Sequence, residues 1–196
     1  MTNIALFHSV LGVREGVRDA AERLREAGHD VHIVDQYDGR VFDDYDSASA
    51  FAEGIGYPVL MQKAVEATTH LSDGFIVAGF SNGGAMAEYV ATRRKTGGVL
   101  MFSGALPLDV IGISDWPSGV AAQIHYAIDD PFRDQNGIDA VAKSIRAAGA
   151  SVDIFNYPGR GHLFTDRSLP DEYDAKNTEI LWQRVIDFCA SSGQQR

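Results

Sequence analysis

The fold of this chain is decided by residues 74–91, GFIVAGFSNGGAMAEYVA. A short apolar run rich in branched residues predicts a buried strand, and the small residues after Gly83 predict a helix. Between them, Gly79-x-Ser81-x-Gly83 places a serine at a strand-to-helix turn, which is the pattern of a nucleophile elbow. A glycine-rich turn with an idle serine would have the same sequence, so the meaning of the pattern depends on partner residues elsewhere.

Composition narrows the class of protein. The 196 residues suit one domain spanning 1–196, and 45% apolar with 22% charged residues is typical of a globular protein. The net charge of -10 argues against nucleic acid or an anionic membrane as partner. No signal-peptide pattern and no apolar run of about eighteen residues is present, so we expect a soluble, cytoplasmic protein. The one cysteine, Cys189, excludes an internal disulfide and is expected to be buried.

Strand-like and helix-like segments alternate along the chain. The predicted strands are residues 3–8, 31–34, 74–79, 99–103, 122–127 and 152–157. The predicted helices are residues 13–28, 58–70, 83–95, 136–148 and 171–191. Residues 40–56 are expected to form an irregular acidic connection, and residues 193–196 are expected to fray. Six strands and five helices predict an α/β fold with a mostly parallel sheet, helices on both faces and no large lid.

Candidate catalytic residues follow three of the predicted strands. In parallel sheets, ligands bind at the carboxyl ends of the strands, and Ser81, the Asp129–Asp130 pair and His162 all lie just beyond such ends. A serine needs a base to accept its proton, and the base needs an acid to orient it. Serine, acid and histidine occur here in the chain order of α/β hydrolases. Spacing alone leaves both aspartates open as the acid.

His162 is the best candidate base among the six histidines, because it lies in a glycine-containing loop beyond a strand. The others have structural explanations: exposure after a helix end for His29, strand positions for His32 and His125, a helix terminus for His70, and a lining position near the site for His8. No pair of histidines has ligand spacing with a third ligand nearby, so we expect no metal and no other cofactor.

The tetrahedral intermediate of acyl transfer needs backbone N–H donors for its oxyanion. In a nucleophile elbow, one donor is the residue after the nucleophile, here Asn82. The second is expected from the loop after the first strand, residues 9–11.

Taken together, these stretches resemble the dienelactone hydrolase family of α/β hydrolases over nearly the whole chain. The similar segments are residues 8–12 (HSVLG), 35–37 (DQY), 79–84 (GFSNGG), 125–132 (HYAIDDPF) and 157–164 (YPGRGHLF). The last two are the most diagnostic, because similar strings occur at the acid and base of the family. The resemblance implies Asp130 over Asp129 as the acid, and it implies Val10 as the second oxyanion donor.

Three positions depart from the family pattern. The namesake enzymes carry cysteine where this chain has Ser81, and glutamate in the first loop where it has Ser9. Their arginine for the substrate carboxylate, four residues past the base, is Asp166 here, with Arg167 next to it. The departures favour a serine esterase over the namesake lactonase.

The sequence therefore predicts a serine hydrolase that cleaves a small ester, lactone or thioester through an acyl-enzyme. Two alternatives stay open on the same scaffold: a small-molecule binding or receptor protein with vestigial turnover, and an acyltransferase. Residues 104–119 are expected to form the pocket rim, with Leu106, Pro107 and Trp116. Further candidate lining residues are Tyr37, Phe80, Phe132 and Arg160.

Overall fold

The structure, a computed structural model, describes residues 1–192 and contains one sheet of six parallel strands. The strands are β1 (Asn3–Phe7), β2 (Asp30–Val34), β3 (Phe75–Phe80), β4 (Thr96–Phe102), β5 (Ala122–Ala127) and β6 (Val152–Tyr157). Their order across the sheet is β2-β1-β3-β4-β5-β6, and every neighbouring pair is parallel. The predicted fold class, an α/β fold with a parallel sheet of six strands, is confirmed.

Six helices connect or follow the strands within residues 1–192. They are α1 (Glu15–Glu26), α2 (Tyr45–Ile55), α3 (Tyr57–Ala67), α4 (Asn82–Arg93), α5 (Gln135–Ala147) and α6 (Ala175–Ser192). The step from β1 to β2 crosses the sheet in the opposite direction to the step from β3 to β4. Because parallel crossovers are right-handed, α1 and α4 cover opposite faces.

The core follows from the apolar patterns of the elements. All six residues of β3 are buried, as expected of a central parallel strand covered on both faces. The inner side of α1 buries Val17, Ala20, Ala21 and Leu24, which recur at helical spacing.

The prediction of an irregular connection at residues 40–56 is wrong, because α2 occupies most of it. Asp44 caps this helix by accepting a hydrogen bond from the Ser47 N–H at 2.7 Å. The buried side is narrow, made by Ala48 and Ala52 at a spacing of four residues, so apolar periodicity hardly shows it. The described residues therefore hold six helices, where five were predicted.

The observed starts of β4 and α6 differ from the predicted ones, and each difference has a physical reason. Strand β4 begins at Thr96, before the predicted 99, and its first residues were missed because glycines are uncommon in strands. Glycine is required at position 97, since a Cβ there would lie 2.6 Å from the Gly74 carbonyl oxygen. Helix α6 begins at Ala175, after the predicted 171, because Asp174 accepts the Asn177 N–H at 2.9 Å. Residues 193–196, which we expected to fray, lie outside the described residues. Between residues 1 and 192, no helix combines the length and apolarity needed to cross a membrane.

Candidate active site

Ser81 occupies the sharp turn between β3 and α4, with φ 52° and ψ −122°. A non-glycine residue rarely adopts such angles, so the surrounding structure must hold them in place. Glycines make the turn possible. A Cβ on Gly83 would lie 2.5 Å from the His8 carbonyl oxygen, and one on Gly79 would collide with the Gly83 carbonyl. The elbow predicted from the sequence is thus present as a local geometry.

The three candidate catalytic side chains meet at the carboxyl ends of β3, β5 and β6. His162 Nε2 lies 2.8 Å from Ser81 Oγ, and His162 Nδ1 lies 2.8 Å from Asp130 Oδ2. Asp130 and His162 are both buried. Asp130 Oδ1 also accepts the Phe132 N–H at 2.8 Å, which fixes the orientation of the carboxylate. A neutral imidazole can therefore donate from Nδ1 to the aspartate and accept the serine proton at Nε2.

Of the two adjacent aspartates, only Asp130 contacts the histidine. Asp129 is exposed, and its backbone N–H donates to the Gly159 carbonyl oxygen at 2.9 Å. The choice between them, which spacing had left open, agrees in geometry with the one that the family resemblance implied.

The sequence analysis missed two residues around His162, namely Ser103 and Tyr45. The Ser103 hydroxyl donates to the His162 carbonyl oxygen at 2.8 Å, from a backbone with φ 53°. The rings of Tyr45 and Phe132 lie 5.8 and 4.7 Å from the imidazole, centroid to centroid. For Tyr45, the available signal was the Asp44 cap ahead of two alanines spaced four apart. No sequence signal distinguishes Ser103 from other serines after strands.

Tyr45 also fastens helix α2 to the loop that carries the histidine. Its hydroxyl donates to Glu172 Oε1 at 2.8 Å, and Glu172 Oε2 accepts the Leu163 N–H at 2.6 Å. Burial and the neighbouring Glu172 charge raise the pKa of Tyr45, so the hydroxyl stays protonated and remains a donor. The next residue after His162 is thereby tied to α2.

The candidate oxyanion donors, Val10 and Asn82, both line the cavity beside Ser81. Neither backbone N–H has a hydrogen-bond acceptor within residues 1–192. The peptide group before Val10 is held from behind by His8, whose Nδ1 donates to the Ser9 carbonyl at 2.6 Å while Nε2 accepts the Gln36 N–H at 3.0 Å. Burial lowers the pKa of His8, which keeps this imidazole neutral in the tautomer that both bonds require. Contrary to expectation, His8 does not line the cavity.

A cavity of about 380 Å³ opens beside Ser81. Its lining residues are Val10, Tyr45, Ser49, Tyr57, Met61, Ser81, Asn82, Ala85, Ser103, Gly104, Leu106, Val110, Ile111, Tyr126, Phe132 and His162. The predicted rim at 104–119 contributes through Leu106 and its neighbours, and Phe132 lines the cavity as expected.

Five other predicted lining residues lie elsewhere. Trp116 donates to the Val120 carbonyl oxygen at 2.8 Å, and Pro107 is likewise outside the cavity. Tyr37 packs against the His8 ring, and Phe80 packs against Phe102. Arg160 is exposed on its loop.

The two other departures from the family pattern lie outside the cavity. Ser9 Oγ accepts the Leu11 N–H at 3.2 Å and so shapes the first loop. Asp166 is buried against α1, where Oδ1 accepts the Gly16 N–H at 3.1 Å and the Ser168 N–H at 2.9 Å.

The fold and the elbow define an α/β hydrolase, and comparison with known proteins agrees. A model of the dienelactone hydrolase family matches residues 2–192, so the chain belongs to that family. It is therefore an enzyme that hydrolyses ester or lactone bonds.

Individual relatives are distant. The chain is 22% identical to the "Putative carboxymethylenebutenolidase" of Escherichia coli (strain K12), over 98% of this chain and 78% of that protein. Two solved structures share the fold. A dienelactone hydrolase-like promiscuous phosphotriesterase from metagenomic libraries has a TM-score of 0.79 at 20% identity, covering 97% of this chain and 86% of that one. The dienelactone hydrolase of Anabaena variabilis has a TM-score of 0.65 at 18% identity, covering 95% and 85%.

Proposed function

We propose that this protein is a serine esterase that cleaves a small ester, lactone or thioester through an acyl-enzyme, within a single domain. Ser81 is the nucleophile, His162 the general base and Asp130 the residue that orients and stabilises the imidazolium. The observation that carries the proposal is the continuous chain Ser81 Oγ–His162 Nε2 and His162 Nδ1–Asp130 Oδ2, with both distances at 2.8 Å.

In the first half-reaction, Ser81 Oγ attacks the substrate carbonyl carbon while its proton moves to His162 Nε2. The tetrahedral intermediate collapses, the carbonyl–leaving-group bond breaks, and the leaving oxygen or sulfur takes that proton from Nε2. In the second half-reaction, His162 removes a proton from water, which attacks the acyl-enzyme, and Ser81 leaves with the proton restored. The enzyme ends in its starting state, and water is the co-substrate.

The oxyanion of both intermediates is assigned to the backbone N–H groups of Val10 and Asn82. Their lack of other acceptors and their place on the cavity wall support this assignment. Such a donor contributes about 3 kcal/mol of transition-state stabilisation. Asn82 is also the first residue of α4, so the positive end of that helix dipole faces the developing negative charge.

No cysteine can replace Ser81 in this role. Cys189 is buried in α6, and burial raises the pKa of its thiol to about 12, so the thiolate needed for nucleophilic attack does not form near neutral pH.

The test combines an active-site fluorophosphonate probe with turnover of short 4-nitrophenyl esters. The parent protein should label and turn over, whereas Ser81→Ala should do neither. Ser49→Ala, which removes another hydroxyl from the cavity wall, is the matched control and should still label and turn over. Equal labelling and turnover by Ser81→Ala and the parent would refute the mechanism. Tight ligand binding that survives loss of Ser81, with negligible esterase rate, would instead favour a binding protein.

A further inference from the structure

The cavity beside Ser81 is apolar where a substrate group would extend away from the nucleophile. Six side chains form this part of the wall: Tyr57, Met61, Leu106, Val110, Ile111 and Phe132. A volume of about 380 Å³ accommodates a small organic group. Burying an apolar group there releases ordered water without desolvating any charge.

None of the residues that line this cavity, among residues 1–192, is a lysine, arginine, aspartate or glutamate. A carboxylate bound against this wall would lose part of its hydration and meet no cation in return. The uncompensated desolvation of an ion is far more costly than that of an alkyl group of the same size. The lining therefore disfavours a substrate group that carries a charge.

The arginines near the site are held by other partners. Arg14 Nη1 donates to the Phe42 carbonyl oxygen and to Asp43, and its Nε donates to Ser168. Arg133, beside the Tyr126 ring, donates to the Asn156 side chain at 2.8 Å. Neither guanidinium lines the cavity, and the exposed Arg160 on the histidine loop also lies outside the lining.

Two carboxylates lie behind the lining residues at the His162 end of the cavity. Asp130 lies 2.8 Å from His162, and Glu172 lies 2.8 Å from the Tyr45 hydroxyl at the cavity wall. Both carboxylates would repel a second anion brought next to the histidine.

We propose that this site selects esters with a neutral, apolar acyl group and rejects those whose acyl group carries a carboxylate. The proposal rests on the proposed function and specifies the substrate class of that same site. Charge exclusion comes from the cation-free lining and from the carboxylates behind its His162 end, and the apolar wall provides the binding energy. Discrimination of this kind combines an attractive surface with a repulsive one.

A matched pair of substrates tests it: 4-nitrophenyl hexanoate and the 4-nitrophenyl monoester of adipic acid, which differ by a terminal carboxylate on the same six-carbon chain. We expect kcat/KM for the hexanoate to exceed that for the adipate by about a hundredfold at pH 7 and constant ionic strength. Ser81→Ala provides the background rate for both esters.

A variant that adds a cation locates the effect. Val110 lines the cavity and is 66% exposed, so Val110→Lys adds charge at the cavity without burying it. It should narrow the hexanoate preference about tenfold. Val59→Lys is the control, since Val59 is 48% exposed on α3, lies outside the cavity lining and makes the same change in net charge. The control should leave the ratio unchanged.

The outcomes separate the two proposals. If Ser81→Ala hydrolyses both esters like the parent, the proposed function fails. If Ser81-dependent turnover of the adipate equals or exceeds that of the hexanoate, the mechanism stands and the substrate class is wrong. If Val110→Lys shifts the ratio no more than Val59→Lys does, the acyl group does not bind in this cavity, and the inference is likewise overturned.

Discussion

In the proposed mechanism, the two ring nitrogens of His162 have different roles at the same time. Nδ1 faces a carboxylate and has to donate, whereas Nε2 faces the Ser81 hydroxyl and has to accept. Asp130 enforces this tautomer because a carboxylate offers only acceptors. The Phe132 N–H holds the other carboxylate oxygen, so the side chain cannot rotate away.

Asp130→Asn should lower kcat by about 10³–10⁴-fold, because an amide can present a donor to Nδ1 and favour the wrong tautomer. Asp129→Asn removes the neighbouring exposed charge and should leave kcat within about twofold. Steady-state kinetics with a 4-nitrophenyl ester compares the two variants. Similar losses in both would mean that Asp130 acts only through the overall charge of the loop.

Tyr45→Phe removes the hydroxyl bound to Glu172 while keeping the ring beside His162. Loss of one hydrogen bond to a carboxylate should cost about 2 kcal/mol of unfolding free energy, and loosening of the histidine loop should lower kcat about tenfold. Tyr57→Phe is the control, since Tyr57 lines the same cavity and its hydroxyl makes no hydrogen bond within residues 1–192. Urea unfolding and kinetics on both variants measure the difference, and identical behaviour would contradict the role of the Tyr45 hydroxyl.

At the scale of elements, the close approach of α4 to β1 sets the elbow. The main chain of Gly83 faces the carbonyl oxygens of Phe7 and His8, at 2.7 and 2.5 Å from where a Cβ would stand. A side chain there must push helix and strand apart, and Ser81 lies at the point where they meet.

Gly83→Ala should therefore destabilise the protein by more than about 3 kcal/mol and reduce the soluble, active fraction. The matched control is Gly54→Ala in α2, where a Cβ meets nothing within 4 Å and the better helix propensity of alanine should stabilise by up to about 1 kcal/mol. Thermal unfolding monitored by circular dichroism gives both values. A tolerated Gly83→Ala would show that the α4–β1 contact can relax.

Helix α4 also buries Glu88, whose Oε1 accepts the Leu106 N–H at 2.8 Å while Oε2 has no partner within the described residues. Burial raises the pKa of this carboxyl well above its usual 4.5, so the folded protein keeps the neutral form to higher pH than the unfolded chain does. The unfolded chain ionises at the usual pKa. As pH rises above about 4.5, only the unfolded state loses its proton, and the free energy of unfolding falls with pH until the folded pKa is reached.

Glu88→Gln should remove this contribution, which is at most about 1.4 kcal/mol per pH unit. Between pH 5 and 8 the variant should therefore lose less stability than the parent, measured as urea unfolding at each pH. Glu53→Gln, an exposed glutamate of α2, should follow the pH dependence of the parent. A pH slope that is unchanged in Glu88→Gln would mean that Glu88 is ionised in the folded state.

At the scale of the whole molecule, Asp166 connects the start of α1 to the loop after His162. Its Oδ1 accepts from Gly16 at the start of α1 and from Ser168 in the loop after His162, and its Oδ2 lies 3.8 Å from Arg14 Nε. Asp166 occupies the position where the family resemblance implied a substrate-binding arginine. In this protein the side chain at that position holds two parts of the fold together.

Asp166→Ala should lower the free energy of unfolding by about 3 kcal/mol, because two N–H donors lose a buried charged acceptor. Asp43→Ala breaks the ion pair between Arg14 and an exposed carboxylate, and should cost less than about 1 kcal/mol. Urea denaturation of both variants tests this. A small loss in Asp166→Ala would mean that other contacts hold α1 to the loop after His162.

Much of the fold could be predicted from the sequence because short strand-like segments alternate along the chain with helices of clear apolar periodicity. The elbow at residues 79–83 was recognisable because close packing leaves no alternative to glycine there. Helix α2 was not, because its buried side consists of two alanines amid acidic residues. Tyr45 and Ser103 were missed for a related reason: their contacts with His162 join segments 117 and 59 residues apart, and no local pattern records them.

The sequence by itself determined the parallel α/β architecture, the elbow and the order of the serine, the acid and the histidine, since these depend on local periodicity and on glycine positions. Only the tertiary structure decided the rest. It brought Asp130, and not Asp129, to His162, it turned Asp166 inward to α1, and it left the cavity at Ser81 without a charged wall. Those outcomes depend on how loops from distant strand ends pack together, and packing of that kind is set by the whole molecule.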